Sequence, residues 1–112
     1  MKQAKEPTYR ERYAAHLLRW AKIKDAIPEQ YSSAVLDRLF QRGVYGVTKP
    51  QLQRFRNEGT MPDNPAVLEV FEEMAQQYHP DKIRSDKAAR AFLRTWEQRP
   101  GRRAKAALLA AA

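Results

Sequence analysis

The sequence GVTKPQLQRFRNEG, residues 46–59, decides how this chain is expected to fold. Thr48 can cap the N-terminus of a helix, and Pro50 fits its first turn, where an N–H group has no partner inside the helix. Leu52 and Phe55, three residues apart, then lie on the same face. The pattern predicts a short helix whose apolar side packs on a core and whose polar, basic side meets solvent.

Helical periodicity extends over most of the chain. Apolar residues recur at spacings of three and four, and proline and glycine residues separate the periodic segments. The predicted helices cover residues 8–25, 32–42 (or from Pro28), 48–57, 64–78 and 85–97. No segment alternates as a strand would. The sequence therefore predicts an all-α fold, with five helices in a single domain over 1–100 and a basic, alanine-rich tail over 101–112.

In the second predicted helix, the residue types indicate where the helix begins and ends and which side faces the core. Ser32 and Ser33 are good N-cap residues, and Gly43 can adopt the positive φ that ends a helix. The side expected to face the core carries Val35, Leu36, Leu39 and Phe40. Most aromatic residues fall at such core positions. Tyr45, in the turn that follows, is the best candidate for stacking on a nucleic-acid base.

The composition excludes several functional classes. The chain has no Cys and only two His, which excludes disulfides, thiolate zinc sites, a thiol nucleophile and a histidine-rich metal site. It has no glycine-rich phosphate loop, and no apolar run approaches the ~20 residues of a membrane span. We therefore expect a soluble, cytoplasmic protein that is not an enzyme, has no cofactor or metal, and does not contact a membrane.

The charge distribution points to a polyanionic partner. The chain carries a net charge of +8 with a pI near 10.0. Residues 1–24 hold seven basic and two acidic side chains, and residues 81–112 hold nine and three. Between them, residues 61–80 hold four acidic side chains and no basic one. Such clustered positive charge is typical of proteins that bind nucleic acids.

The segment 32–75 has the order of a helix-turn-helix arrangement, with the motif itself over about 32–57. Residues 46–59 resemble the recognition helix and following loop of the Cro and phage-repressor class of DNA-binding proteins. Leu52 and Phe55 stand at the apolar positions of that helix. The turn before it is longer than in that class.

The resemblance implies a repressor-like transcriptional regulator, carried by a phage, plasmid or other mobile element, that binds double-stranded DNA. Gln51 is suited to bond adenine bidentately, and Arg54 guanine. Contacts to phosphates are expected from a hydroxyl group and from basic side chains, namely Thr48, Lys49, Arg56, Arg102, Arg103 and Lys105. The sequence leaves open whether the chain forms a homodimer.

A second resemblance implies an alternative function. The segment 67–82, which contains His79-Pro80-Asp81, is similar to the second helix and His-Pro-Asp loop of J-domain co-chaperones. It implies a protein-interaction module in which the fifth helix lies antiparallel to the fourth. A small phage-type factor that binds a host protein belongs to the same class, and the acidic face within 63–73 would suit a basic partner.

Overall fold

The computed structural model describes residues 8–97 and shows an all-helical fold over that range. The five α-helices are α1 (Tyr9–Ile23), α2 (Ser32–Gln41), α3 (Lys49–Glu58), α4 (Ala66–Tyr78) and α5 (Asp86–Glu97). Single 3₁₀ turns, Lys24–Ala26 and Pro80–Lys82, follow α1 and α4. The predicted all-α class is confirmed. The predicted helix ends lie within two residues of the observed ones, except the alternative start of the second helix at Pro28, which is wrong because α2 begins at Ser32. The predicted tail, 101–112, lies outside the described residues.

Side chains accept hydrogen bonds from N–H groups in the first turns of α1, α4 and α5. The hydroxyl of Thr8 accepts a hydrogen bond from the Glu11 N–H (3.2 Å) at the start of α1. Ser85 caps α5 by accepting from the Ala88 N–H (3.2 Å). The Asn64 carboxamide accepts from the Ala66 N–H (2.9 Å) at the start of α4. These bonds satisfy N–H groups that a helix leaves without an internal partner.

The predicted cap of α2 is wrong. Its N-cap residue is Tyr31, which makes no side-chain capping bond, and Ser32 and Ser33 lie inside the helix. Tyr31 is buried, and its ring lies 5.6 Å from the ring of Phe71 on α4. Because burying a tyrosine ring contributes more than one capping bond, tertiary packing sets this helix start.

The core receives side chains from all five helices. Its largest fully buried members are Trp20, Trp96, Phe55, Phe71, Leu17, Leu39, Leu52 and Met74. The rings of Trp20 on α1 and Trp96 on α5 are 5.4 Å apart, which joins these two helices. Phe55 on α3 stacks on Phe71 on α4 with 4.5 Å between centroids. The core therefore holds α3 against α4, and α5 against α1.

Arg84 fixes the start of α5 beside the end of α1. Its backbone N–H donates to the carbonyl of Lys22 (2.8 Å), and its guanidinium donates to the carbonyl of Ala21 (2.9 Å) and pairs with Asp25. These bonds satisfy carbonyls that the last turn of α1 leaves without an internal partner. As a result α5 packs mainly on α1. The fourth helix, α4, packs mainly on α2 instead. The antiparallel pairing of α4 with α5, implied by the co-chaperone resemblance, is not the arrangement observed.

Phe40 was expected in the core, and this prediction is wrong. Its side chain is 66% exposed and meets Tyr45 edge to face, with 5.2 Å between ring centroids. The buried side of α2 is narrow, because Val35 and Leu39 at i and i+4 already fill the contact with α4. Phe40 lies about 100° further around the helix and so reaches solvent. Tyr45, in the turn after α2, is also exposed, with 69% of its surface accessible.

No helix within residues 8–97 is long and apolar enough to cross a bilayer.

Candidate nucleic-acid interface

Both ends of α3 are held by local hydrogen bonds. At its start, the Thr48 hydroxyl accepts from the Gln51 N–H (3.4 Å) and the Gln51 side-chain oxygen accepts from the Thr48 N–H (2.9 Å). This reciprocal pair is a capping box. At its end, Gly59 takes the left-handed conformation (φ 69°) and donates its N–H to the Phe55 carbonyl (2.9 Å). The helix is therefore defined at both termini.

The back of α3 faces the core as predicted. Leu52 is 0% exposed and Phe55 is 2% exposed, whereas Gln51 and Arg54 are exposed. The predicted rotation of this helix is confirmed. Because its apolar face is fully buried, the orientation of its polar face is set by packing rather than by the polar residues themselves.

His16 connects α1 to the end of α3. Its ring is buried, and Nε2 donates a hydrogen bond to the carbonyl of Gly59 (3.0 Å), 43 residues further along the chain. The ring also packs edge-on against Phe55 at 5.6 Å. Burial lowers the pKa of His16 below its ordinary 6.5, and the bond to Gly59 opposes that shift only in part. The neutral imidazole thus positions the C-terminus of α3.

We expect acid to destabilise the fold through His16. Its pKa is lower in the folded protein, so the unfolded chain binds the proton first as the pH falls. The stability that neutral His16 contributes is fully present above about pH 6.5, the pKa of the unfolded chain. It is lost as the pH falls from there through the lower pKa of the folded protein. The free energy of unfolding then decreases by up to about 1.4 kcal/mol per pH unit. Urea denaturation at several pH values measures this loss. The variant His16→Gln should lack this component, and an unchanged pH dependence in the variant would contradict the assignment.

The outward face of α3 carries two amides between two cations. Its exposed residues opposite the core are Lys49, Gln53, Arg54 and Asn57. None of these four is bonded to another side chain within residues 8–97. From the sequence, Lys49 and Arg54 were predicted to contact DNA, whereas no contact was assigned to Gln53 or Asn57. At 100° per residue, both lie opposite Leu52 and Phe55, so a helical projection could have found them.

Two predicted contact residues have partners within the protein. The side-chain oxygen of Gln51 is bonded to the N-terminus of its own helix, so a bidentate contact to a base would require it to leave the capping box. Arg56 was expected on the outer side but is half-buried, with its guanidinium 5.5 Å from the ring centroid of Tyr31. Thr48 is exposed, and its hydroxyl hydrogen can still be donated. Arg102, Arg103 and Lys105 lie outside the described residues.

A cleft of about 410 Å³ opens beside the N-terminal half of α3. One wall contains Gln51 and Arg54, the two residues predicted to read bases. The turn with Tyr45, the loop with Met61 and Asp63, and Val67 of α4 line the other sides. The structure therefore brings Gln51 and Arg54 to one surface. Phosphate contacts from Thr48 and Lys49 would approach that surface from the helix N-terminus.

The acidic side of α4 is largely paired within the fold. Arg19 of α1 bonds Glu72 (3.1 Å from Nε), and Arg42, the C-cap residue of α2, bonds Glu69 (3.1 Å) and also Glu73. Arg38 of α2 lies 3.8 Å from Glu73. The glutamates are thus surface partners of arginines that would otherwise add to the positive field. Such pairs contribute little to stability, about 0–1 kcal/mol each, but they decide where free positive charge remains.

Within the part of the chain that the structure describes, no three His, Asp or Glu side chains approach closely enough to hold a metal ion. Comparison with protein-family models, curated proteins and solved structures found no match to this chain.

Proposed function

We propose that this protein is a double-stranded-DNA-binding transcriptional regulator, repressor-like, that acts by occupying DNA. In this proposal α2 and α3 form a helix-turn-helix and α3 is the recognition helix. The observation that carries it is the contrast between two sets of cations. The arginines of α1 and α2 that face α4 are paired with its glutamates, whereas Lys49 and Arg54 on α3 have no acidic partner among the described residues.

The mechanical requirements of a recognition helix support this proposal. Such a helix must be rigid, because reading base edges depends on placing a few side chains accurately in the major groove. The capping box, Gly59 and His16 hold both ends of α3, and Leu52 and Phe55 hold its back. Its front then presents long side chains that can donate or accept hydrogen bonds.

The proposed contacts divide by chemistry. Arg54 donates to the two acceptors of guanine, while Gln53 and Asn57, which neighbour it on the outward face, suit adenine. Thr48 and Lys49 meet phosphates beside the helix N-terminus, where the helix dipole also favours an anion. Gln51 supports this end of the helix and reaches a base only if it leaves the capping box. The cytoplasmic location and the origin in a mobile element follow from the same proposal.

The alternative, a module that binds a basic protein through the acidic side of α4, has less support. Its glutamates already contact Arg19, Arg38 and Arg42. A basic partner would have to displace those arginines before it gained any charge pairing of its own. No observation on α4 favours that exchange.

The proposal is tested in two steps. The preferred site is first selected from random duplexes, and the affinities for that site and for a scrambled duplex are then measured by fluorescence-anisotropy titration. Arg54→Ala should cost about 1–3 kcal/mol on the selected site and little on the scrambled one. The reason is that a bidentate guanine contact exists only at the preferred sequence.

The matched control is Lys82→Ala, which removes one exposed cation from the 3₁₀ turn after α4. It should leave the ratio of the two affinities unchanged. If no sequence is enriched, or if Arg54→Ala weakens both duplexes equally, α3 does not read sequence and the regulator proposal is wrong.

A further inference from the structure

A row of positive charge lies along the solvent side of α5. Lys87, Arg90 and Arg94 are all exposed. Their spacing of three and four residues places them on one face of the helix. The opposite face is buried, with Ala89 and Trp96 both 0% exposed. The basic residues therefore form a continuous stripe, the α5 stripe, that points away from the core.

The three cations of the α5 stripe differ from the cations that help to hold the helices together, because they form no ion pair among the described residues. Five cations elsewhere form ion pairs with carboxylates: Arg19, Lys22, Arg38, Arg42 and Arg84. No carboxylate that the structure describes lies within ion-pair distance of the three stripe residues. Asp86, at the start of α5, is paired with Lys22, and that contact lowers the pKa of its carboxyl. The charge of Arg90 also contributes to that lowering. Among the side chains that the structure describes, the stripe therefore forms no ion pair of its own.

The backbone beneath the stripe is firmly held. On α1, the ring of Trp20 contacts both Trp96 (5.4 Å) and Phe92 (6.0 Å), and the guanidinium of Arg84 lies 4.2 Å from the centroid of Phe92. Only the outer parts of the three basic side chains must be ordered when they bind a partner. Cations on a fixed helix therefore lose less conformational entropy when they bind than the same residues would on a loose segment.

The spacing of the stripe matches a polyphosphate strand. At 1.5 Å per residue, the three positions follow one another at about 4.5 and 6 Å along the helix axis. Each strand of duplex DNA carries a phosphate about every 3.4 Å along the axis of the double helix. Long, flexible Lys and Arg side chains cover the difference, so the stripe can contact consecutive phosphates of one strand.

We propose that the α5 stripe binds the phosphate backbone of duplex DNA and forms a contact, separate from α3, that is independent of sequence. The choice of DNA as the polyanion rests on the proposed function. In this scheme α3 sets which sequence is preferred, while α5 adds affinity for any duplex and holds the protein on DNA while α3 samples the groove.

The test replaces Lys87, Arg90 and Arg94 together by Gln, a good helix former, in the full chain. Binding to the selected and scrambled duplexes is titrated between 50 and 200 mM salt. Loss of three phosphate contacts should make the slope of log K against log salt shallower by about 2.7 on both duplexes. Over that salt range the wild type should then lose about 40-fold more affinity than the variant, with the ratio between duplexes unchanged.

A charge-preserving variant, Lys87→Arg with Arg90→Lys and Arg94→Lys, is the matched control and should keep the wild-type slope. Circular dichroism checks that both variants fold. If the Gln variant keeps the wild-type slope while the wild type still prefers one sequence, the stripe inference is overturned and the regulator proposal stands. If the slope flattens but no sequence is preferred, the stripe is confirmed and the regulator proposal fails. If the wild type binds no DNA, both are overturned.

Discussion

Replacing Phe55 by alanine should lower the free energy of unfolding by about 3–5 kcal/mol. The side chain is 2% exposed, stacks on Phe71 at 4.5 Å and supports the ring of His16 at 5.6 Å. Removing the ring loses its transfer free energy and leaves a cavity, because the rings of α1 and α4 around it can only partly relax. The loss is large relative to the roughly 5–15 kcal/mol that stabilises a typical domain.

Urea denaturation followed by circular dichroism measures this loss. The adjacent variant Arg54→Ala is the control, because it truncates an exposed side chain of the same helix and should change stability by less than about 0.5 kcal/mol. Similar stabilities for the two variants would mean that α3 is rotated relative to the orientation described. In that event the outward face assigned to Gln53, Arg54 and Asn57 would also be wrong.

Gly59→Ala should destabilise the protein by about 2–5 kcal/mol, for two separable reasons. Gly59 has a φ of 69°, and a side chain in that left-handed region costs about 1–2 kcal/mol. In addition, a Cβ here would lie 3.0 Å from Leu17 Cδ2 and from two ring atoms of Trp20. Both of these neighbours are fully buried, so the shift that a Cβ requires disturbs the packed core, and overpacking adds about 1–3 kcal/mol.

Gly43 and Gly46 supply matched controls for this prediction. Their φ values are 77° and 83°, but a Cβ at either would meet nothing within 4 Å. Gly43→Ala and Gly46→Ala should therefore cost only the backbone term. The excess loss for Gly59→Ala in thermal or urea unfolding measures the close approach of α1 to the end of α3. Equal losses at all three positions would show that Leu17 and Trp20 do not confine Gly59.

Local signals in the sequence were sufficient to predict the helices and the rotation of α3. Thr48, Pro50, Leu52 and Phe55 lie within one segment, and each acts through its immediate neighbours, by capping, by a fixed φ or by sharing a helix face. The spacing T-x-x-Q from Thr48 to Gln51 also contains the capping-box signal. It could have indicated that Gln51 is needed at its own helix end.

Tertiary structure alone decided the features that depend on partners distant in sequence. Ser32 lost its expected capping role because Tyr31 packs on Phe71, and Phe40 became exposed because α4 covers only a narrow side of α2. His16 found its acceptor at Gly59, which no local pattern specifies. The distribution of free charge has the same origin. An amphipathic pattern shows that a residue is near the surface. Only the packing of α4 against α1 and α2 determines that Arg19, Arg38 and Arg42 are paired with glutamates, while Lys49, Arg54 and the α5 stripe form no ion pair among the described residues.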